Sequence, residues 1–526
     1  MLAALIDKKK SPFLEDDLGM VARHARVGDD QVFIDLASYT KRSAVEHNIA
    51  LLIALHQNQC REDSRASGLR GKNRIQNHGQ SRGAGRAQPQ IRIMTGIAAA
   101  RKWVYERLGW RFRFAFDRLR GVGPANPIHG RSKSPIFAIL FCAFLAAFAG
   151  FLAERWLPLL SGSDFPDFYC AARMVSQGRG HQLYDPAVQR QFQARYAGRV
   201  GTLYIHPPFE ALLYLPVSLL PLRLAYLLWL LGDLCFLALA MNRLAKESLP
   251  GWDWRLLTGA GLMFVPTLLC LQQGQDSLFL LLSITLAFSH LRRNRAFTAG
   301  CWLGLALCKF QIGLPLILVL ALGIRGKLRR ALLGGLGVVA FALAAISVAL
   351  CGWNVFGAYV SLLIHLPAQS FAGVFPAVMA NFRGLGWLLF RGNSAAMLVT
   401  DISLSALTLA ASVVAWRRIR MSENLAAEGF DRVFAASVVF AVLASYHLNP
   451  HDLSLLWLPL ALLSRKIMGE AREKWDWPVM ALLIALFLPP VHLWALDRRL
   501  YGWLAIPILL IFWAMLRLGW RGRESI

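Results

Sequence analysis

Long apolar runs separated by short polar or basic segments dominate this chain from about residue 135 to its end. The runs are roughly 15–22 residues long, and a helix of about 20 apolar residues can cross a hydrocarbon core about 30 Å thick. The pattern therefore predicts an all-α polytopic membrane protein, with about 10–12 transmembrane helices over residues 135–520.

The positions of Lys and Arg assign a side of the membrane to each polar segment. Basic segments at 243–255, 291–295 and 325–330 adjoin apolar runs, and such segments collect on the cytoplasmic side. The basic residues before the first run, 135–153, are cytoplasmic by the same rule. We therefore predict a multi-pass protein of the inner (plasma) membrane, with both termini in the cytoplasm. The polar stretch 154–208 is then a first extracytoplasmic loop, which we expect to be helical.

Two of the apolar runs are predicted to be irregular. Pro216 and Pro221 interrupt the run at 209–239, and proline breaks helices. The run at 296–324 has basic segments at both ends but is too short for two full spans of about 20 residues. We predict a compact helical hairpin there, with its apex at Lys309, because a lysine at such a tip is tolerated when it faces a polar cavity.

The net charge of +26, from 57 Lys and Arg against 31 Asp and Glu, has two interpretations. Strong basicity is found in proteins that bind nucleic acid. It also arises from the cytoplasmic loops of membrane proteins. We favour the second interpretation, and expect no nucleic-acid partner, because the positive clusters lie between the apolar runs.

The residues before the first run fall into two parts. Residues 1–93 include a segment rich in Arg, Gly, Gln and Asn, so they are either a disordered extension or the product of a wrongly assigned gene start. Residues 94–134 contain a basic amphipathic helix with Phe112 and Phe116 on its apolar stripe. Such a juxtamembrane segment suits a surface of anionic lipid, with nucleic acid as the alternative.

Three polar motifs fall on the extracytoplasmic side. They are SDFPDFY at 163–169, QQGQD at 272–276 and YHLNPHD at 446–452. The Lys/Arg bias, and not these motifs, was used to assign the sides. Their agreement therefore predicts a single functional site at this face.

The carboxylates of the first motif suggest two kinds of chemistry. Asp164 and Asp167 are three residues apart and would share a face of a helical turn. One carboxylate can act as a general base on a sugar hydroxyl, and two can hold a divalent cation, which is a possible cofactor. A helix cap or a solvated loop is the alternative.

The other motifs offer groups that can hold an anionic substrate. His447, His451 and Asp452 can bind a metal, bind a phosphate or orient a substrate. The alternative is that Asn449 or Asp452 simply caps a helix. Lys309 is a candidate phosphate partner because an ammonium group stabilises a nearby anion. Gln272, Gln273 and Gln275 offer neutral donors and acceptors.

Several other sites are absent from the sequence. There is no Gly-rich phosphate loop followed by Lys and Ser or Thr, so an ATP-driven pump is not indicated. The eight cysteines contain no CxxC pair, and no Ser-His-Asp signature occurs.

A family resemblance is carried by motifs in a fixed order. They are DFxxFY at 164–169, Ala-Ala-Arg ending at Arg173, LYDP at 183–186, Pro-Pro at 207–208, Gly-Gln at 274–275, Lys309 and His-Asp at 451–452. Over about residues 135–520 the chain resembles glycosyltransferase family 87, the polytopic membrane enzymes of GT-C architecture that are also known as the DUF2029 type.

The resemblance implies an activity and its partners. Members transfer a sugar, a mannose-like hexose or an arabinofuranose-like pentose, from a polyprenyl-phosphate donor to an envelope glycan or glycolipid on the extracytoplasmic side. Asp164 matches the catalytic base, and Asp167 is the second candidate. His206 stands before Pro-Pro where an aromatic residue is expected. The predicted donor-phosphate or substrate-binding residues are Arg173, His206, Gln272, Gln275, Lys309, His447, His451 and Asp452.

A multi-pass transporter or flippase for lipid-linked sugars is the alternative function. Such proteins also place charged residues inside a helical bundle. They commonly carry internal repeats with paired broken helices, which this sequence does not show. The large polar first loop favours an enzyme, which together with its sugar substrates would contact membrane lipids.

Overall fold

The computed structural model describes residues 135–518, except 199, 250, 366–374, 392, 420–427 and 468–475. The predictions for residues 1–93 and 94–134 lie outside the described residues. Within them the chain forms helices and turns and no β-strand, which confirms the all-α fold class. In chain order the α-helices of this part are α1 Pro135–Trp156, α2 Phe165–Ser176, α3 Pro186–Phe192, α4 Ala211–Ser218, α5 Leu222–Ser248, α6 Trp254–Leu262, α7 Val265–Gln273, α8 Ser277–Arg292, α9 Ala296–Leu305, α10 Phe310–Gly323, α11 Gly326–Cys351, α12 Val355–His365, α13 Phe382–Leu389, α14 Ser394–Arg418, α15 Glu428–Leu443, α16 Trp457–Ile467, α17 Asp476–Phe487, α18 Pro489–Asp497 and α19 Ala505–Leu518.

Four stretches of the described chain are long and apolar enough to cross a membrane. They are α5, the stretch Ala296–Gly323, α11 and α14. The pair α6 and α7, bent by 74°, is either a fifth, broken span or a re-entrant loop. In α11 and α14 only 17% of the apolar window is buried inside the protein, so most of this apolar surface is stable only against lipid. The chain is therefore a polytopic membrane protein. The predicted number of about 10–12 spans depends on the shorter apolar helices as well, and stays a prediction.

The helix break predicted in the apolar run at 209–239 lies at Pro221, the second of its two prolines. Helix α4 ends at Ser218, and α5 begins at Leu222 directly after Pro221. Pro216 lies inside α4 and does not end it. The result is a short helix followed by a long span, as the two prolines in an apolar run indicated.

The stretch Ala296–Gly323 is 28 residues long and could pass for one span, but its backbone turns back on itself. Lys309 has φ −107° and ψ 67°, which is not helical. A Cβ on Gly313 would lie 2.5 Å from the carbonyl oxygen of Ala306, whereas residues seven apart in a straight helix are separated by about 10 Å along the axis. The two halves, α9 and α10, thus form a hairpin with Lys309 at its apex, as predicted.

The far end of this hairpin lies at the same end of the bundle as the end of α8. A Cβ on Gly323 would be 2.4 Å from Cβ of Trp416, and the Trp416 ring meets Phe430 edge-on at 5.6 Å. Next to Phe430, Asp431 lies 2.9 Å from Arg292 at the end of α8. The basic segments at 291–295 and 325–330 therefore share one end of the bundle, in agreement with their charge. Which side of the membrane this end faces remains a prediction.

Glycines allow α9 and α11 to pack backbone to backbone. A Cβ on Gly335 would lie 1.9 Å from the carbonyl oxygen of Phe297, and one on Gly300 would lie 1.9 Å from that of Leu332. Small residues at such positions let membrane helices approach closely. This contact holds α11 beside α9, the first half of the hairpin, and so supports the turn at Lys309.

We expect Gly335→Val to destabilise the protein, because the added side chain would push α9 and α11 apart. Overpacking of this kind costs about 1–3 kcal/mol or more. The measurement is the thermal unfolding midpoint of the detergent-solubilised protein. Gly337→Val is the matched control, because nothing lies within 4 Å of a Cβ at that position. Equal midpoints for the two variants would contradict the close contact.

Candidate functional site

The first motif is held at the start of α2 by aromatic packing. Phe168 stacks on Tyr214 with ring centroids 4.7 Å apart, and Tyr214 stacks on Trp229 of α5 at 3.9 Å. Phe165 meets the ring of Tyr226 edge-on at 5.3 Å. These buried rings fix the first turn of α2 against the membrane helices. Asp164 is the N-cap residue of this helix and is partly exposed.

Two glutamines of the second motif bind Asp164 directly. The backbone N–H of Asp164 donates to Oε1 of Gln273 at 3.0 Å, and Nε2 of Gln275 donates to Oδ2 of Asp164 at 2.7 Å. Gly274 lies between them with φ +64°, and a Cβ there would be 2.7 Å from Cβ of Phe165. Glycine therefore permits both the left-handed turn and the approach of α2.

Lys309 joins the second motif to the third. Its side chain is 1% exposed, and its three N–H groups donate to Oδ1 of Asp452 at 2.8 Å, Oγ of Ser277 at 3.0 Å and Oε1 of Gln275 at 3.1 Å. Oδ1 of Asp276 lies 3.2 Å from the same nitrogen. An ammonium group has three donors, so these partners use all of them. The structure thus joins the second and third motifs at one buried cation, and the first motif is linked to it through Gln275.

Further carboxyl groups surround this centre. Glu210 is fully buried, and its Oε2 lies 3.0 Å from Nδ1 of His206. Burial raises the pKa of Glu210 well above its ordinary value. Burial, with Glu210 nearby, raises the pKa of Asp276 to about 7. Lys309 opposes the effect of burial on both carboxyl groups, because its positive charge favours their ionised forms.

The third motif supplies both a turn and polar side chains. Oδ2 of Asp452 accepts from the backbone N–H of Asn449 at 2.9 Å, which is the capping role that was the alternative prediction. Burial raises the pKa of Asp452, but Lys309 outweighs it and holds this pKa below its ordinary value. Nε2 of His451 lies 3.5 Å from Oδ1 of Asp452. Asp452 is therefore both a cap and the main counter-charge of Lys309.

The three histidines of the site are neutral at pH 7. Burial lowers the pKa of His206 and of His447 to about 4, and that of His451 to about 3. A neutral imidazole offers one donor and one acceptor and no positive charge. These side chains can orient a substrate by hydrogen bonds, but they do not supply a cation.

Two of the predicted residues, Asp167 and Arg173, make their contacts outside the Lys309 cluster, and Gln272 reaches the cluster only through Gln273. Oδ1 of Asp167 accepts from Nε2 of Gln193 at 2.9 Å, and its Oδ2 accepts from the hydroxyl of Thr202. Arg173 donates to the backbone carbonyl of Ser218 and lies over the Tyr196 ring at 4.9 Å. Oε1 of Gln272 accepts from Nε2 of Gln273 at 2.7 Å. Asp164 and Asp167 therefore turn to different partners, in contrast to the shared face expected from their spacing.

Some members of the cluster were not among the predicted site residues: Glu210, Gln273, Asp276 and Ser277. Gln273 and Asp276 lie inside the second motif and Ser277 follows it directly. Glu210 carried a usable signal, because it is a carboxylate at the start of an apolar run, four residues after His206.

No group of three or more His, Cys, Asp or Glu side chains within the described ranges is arranged to hold a metal ion. The ammonium group of Lys309 occupies the position between the carboxylates of Asp276 and Asp452. These two carboxylates thus have their counter-charge already.

The protein is a polytopic membrane protein with a buried polar cluster. One partly exposed carboxylate, Asp164, lies next to this cluster, as in the site of an enzyme. The model of Glycosyltransferase family 87 matches residues 204–446, a segment that contains Glu210, the QQGQD motif and Lys309. This match confirms the resemblance to family 87 and supports a membrane glycosyltransferase in general. Asp164 and Asp452 lie outside the matched segment but contact it directly. The searches of curated proteins and of solved structures gave no match.

Proposed function

We propose that this protein transfers a sugar from a polyprenyl-phosphate donor to an envelope glycan or glycolipid, with the GT-C architecture and an extracytoplasmic active site. The observation that carries the proposal is the position of Asp164. It is a partly exposed carboxylate, fixed by two glutamines, at the edge of a buried cluster that joins three separate polar motifs. A general base must be accessible to its substrate and held in one orientation, and Asp164 meets both requirements.

A lipid-linked donor fits the surroundings of the site better than a nucleotide sugar. The sequence has no Gly-rich phosphate loop. The site is built from the turn between α7 and α8, the break between α9 and α10 and the turn before α16. The same protein has apolar helix surface suited to lipid, such as that of α11. A donor with a polyprenyl chain can reach such a site from within the membrane. The sugar is, by family resemblance, a mannose-like hexose or an arabinofuranose-like pentose.

The proposed reaction is a direct displacement at the anomeric carbon. The acceptor hydroxyl oxygen forms a bond to this carbon as the bond to the donor phosphate oxygen breaks, and the polyprenyl phosphate leaves with the electron pair. Asp164 accepts the hydroxyl proton. Asp167, the second candidate, instead holds the segment around Gln193 and Thr202. We assign Asp167 to positioning of the first loop.

The departing phosphate requires hydrogen-bond donors and a positive charge. Lys309 is enclosed and fully bonded, so we assign it to neutralising Asp276 and Asp452. His447 and His451 remain candidate donors to the phosphate. Arg383 is a second candidate cation near these histidines. Its Nη1 donates to the backbone carbonyl of Tyr446 at 3.0 Å, directly beside His447. Its positive charge contributes to the lowered pKa of His447. We propose that Arg383 and these neutral histidines bind the donor phosphate.

The proposed function is tested by mass spectrometry of envelope lipids and glycans from a strain lacking the gene and from the same strain carrying the native chain. We expect a hexose or pentose to disappear on deletion and to return on complementation, and the mass difference gives the sugar class. Identical glycans in both strains would contradict sugar transfer. Transport of lipid-linked sugars, the alternative function, would then be measured in proteoliposomes.

A further inference from the structure

The side-chain amide of Gln275 bridges the buried cation and the partly exposed carboxylate. Its Oε1 accepts from Lys309 at 3.1 Å, and its Nε2 donates to Oδ2 of Asp164 at 2.7 Å. An amide carries its acceptor and its donors on opposite sides of one planar group. Because Lys309 binds the oxygen, the NH₂ group must face Asp164. The orientation of Gln275 is therefore fixed by charge.

The backbone on either side of Gln275 is also fixed. Gly274 adopts φ +64° and packs against Phe165, the residue that follows Asp164. The backbone N–H of Gln275 donates to the carbonyl of Cys270 at 3.1 Å. Side chain and main chain thus hold the amide within the 2.7 Å contact to Asp164. A donor held in this way favours the ionised form of the carboxylate that accepts from it.

Asp164 and several other charged groups share one electrostatic neighbour, His206. Asp164 and Lys309 both act electrostatically on His206, together with Asp276 and Asp452. Lys309 is buried and already bonded to two acceptors besides Gln275, namely Asp452 and Ser277. Direct contact between Lys309 and Asp164 is not needed, because the amide carries the polarisation of one to the other.

We propose that Gln275 is a positioning residue that couples the Lys309 charge to Asp164 and holds this carboxylate ready to accept a proton. This inference rests on the proposed sugar transfer with Asp164 as base. It assigns Gln275 a role on the enzyme and not on the substrate. Gln273, which accepts from the Asp164 backbone, completes the contact from the other side of Gly274.

The test is the pH dependence of sugar transfer by purified Gln275→Glu protein, with polyprenyl-phosphate sugar as the probe. In this variant one carboxylate oxygen still accepts from Lys309, but the other faces Oδ2 of Asp164, and two such groups cannot both be ionised. We expect the acidic limb of the kcat profile to move to higher pH by about one unit or more, with KM for the donor unchanged. Gln275→Ala should lower kcat without raising KM.

Gln177→Glu is the matched control. Gln177 is exposed on the turn after α2, where its amide donates to the Tyr196 hydroxyl, so the same change of charge occurs away from Asp164. Size-exclusion chromatography of each variant verifies folding. A raised KM with an unmoved acidic limb would show that Gln275 binds substrate and would overturn the inference. If the native protein transfers no sugar at any pH, the proposed function fails instead.

Discussion

Replacement of Asp164 by Asn is expected to abolish sugar transfer while the protein remains folded. An amide cannot take a proton from the acceptor hydroxyl, and the loss of a general base lowers rates by about 10²–10⁴-fold. The substituted asparagine would still offer an oxygen to Nε2 of Gln275, and its backbone N–H would still donate to Gln273. The variant therefore tests proton transfer with little change in the contacts of the site.

The measurement is the turnover rate of purified protein with a polyprenyl-phosphate sugar and a glycolipid acceptor. Asp185→Asn is the matched control in the same loop. Asp185 caps α3 by accepting from the backbone N–H of Ala187 at 2.8 Å, and asparagine caps helices equally well. Full activity of the Asp164→Asn protein would remove Asp164 from the mechanism. Normal activity of the control shows that a loss is specific.

Replacement of Lys309 by Met is expected to destabilise the protein more than any other single change proposed for this chain. The side chain is 1% exposed, and its removal leaves the carboxylates of Asp276 and Asp452 buried without their cation. Breaking a buried ion pair from one side costs about 3–5 kcal/mol. We expect a clear fall in the thermal unfolding midpoint in detergent, or no recoverable protein.

Two comparisons identify the cause of that fall. Lys246→Met is the matched control, because Lys246 is exposed near the end of α5, where a surface change is worth about 0.5 kcal/mol or less. Addition of Asp452→Asn to the Lys309→Met protein should recover part of the lost stability, because one buried charge is removed. If Lys309→Met is stable and only its donor affinity falls, Lys309 is the phosphate ligand that the sequence suggested.

The sequence predicted that the three polar motifs lie together better than it predicted what each residue does. The Lys/Arg bias is a property of whole segments, so it placed QQGQD and the motif ending at Asp452 on one face without any knowledge of packing. The hairpin at Lys309 was predicted from the length of its run and the charge at its ends. Both ends carry basic segments, so the run must leave and return, but fewer than thirty residues are too few for two full spans.

The roles of individual residues depend on neighbours that sequence spacing does not reveal. Lys309 was assigned to phosphate because an ammonium group stabilises a nearby anion, but its three donors are used by residues up to 143 positions away. Asp167 shares the spacing of a catalytic pair with Asp164, yet Gln193 and Thr202 hold it elsewhere. Such assignments require the number of acceptors around each donor, which is known only after folding.

Glu210 was missed for a related reason. A single carboxylate at the start of an apolar run can be exposed at the membrane surface or buried, and the two cases look the same in a sequence. Only the contact with His206 and the proximity to Asp276 show that it belongs to the buried cluster. Buried carboxyl groups that gather around one cation are a three-dimensional property.

The distance along the chain between Lys309 and Asp452 has a consequence for biogenesis. At about 5–20 residues per second, the ribosome needs roughly 7–30 s to add the 143 residues that separate them. During that interval the hairpin must enter the membrane without its main counter-ion. Asp276, made before the hairpin and 3.2 Å from Lys309 in the finished protein, can serve as an interim partner. Nascent chains that stop before residue 452 would therefore have a partner for their lysine but lack its main counter-charge, so insertion can precede completion of the buried cluster.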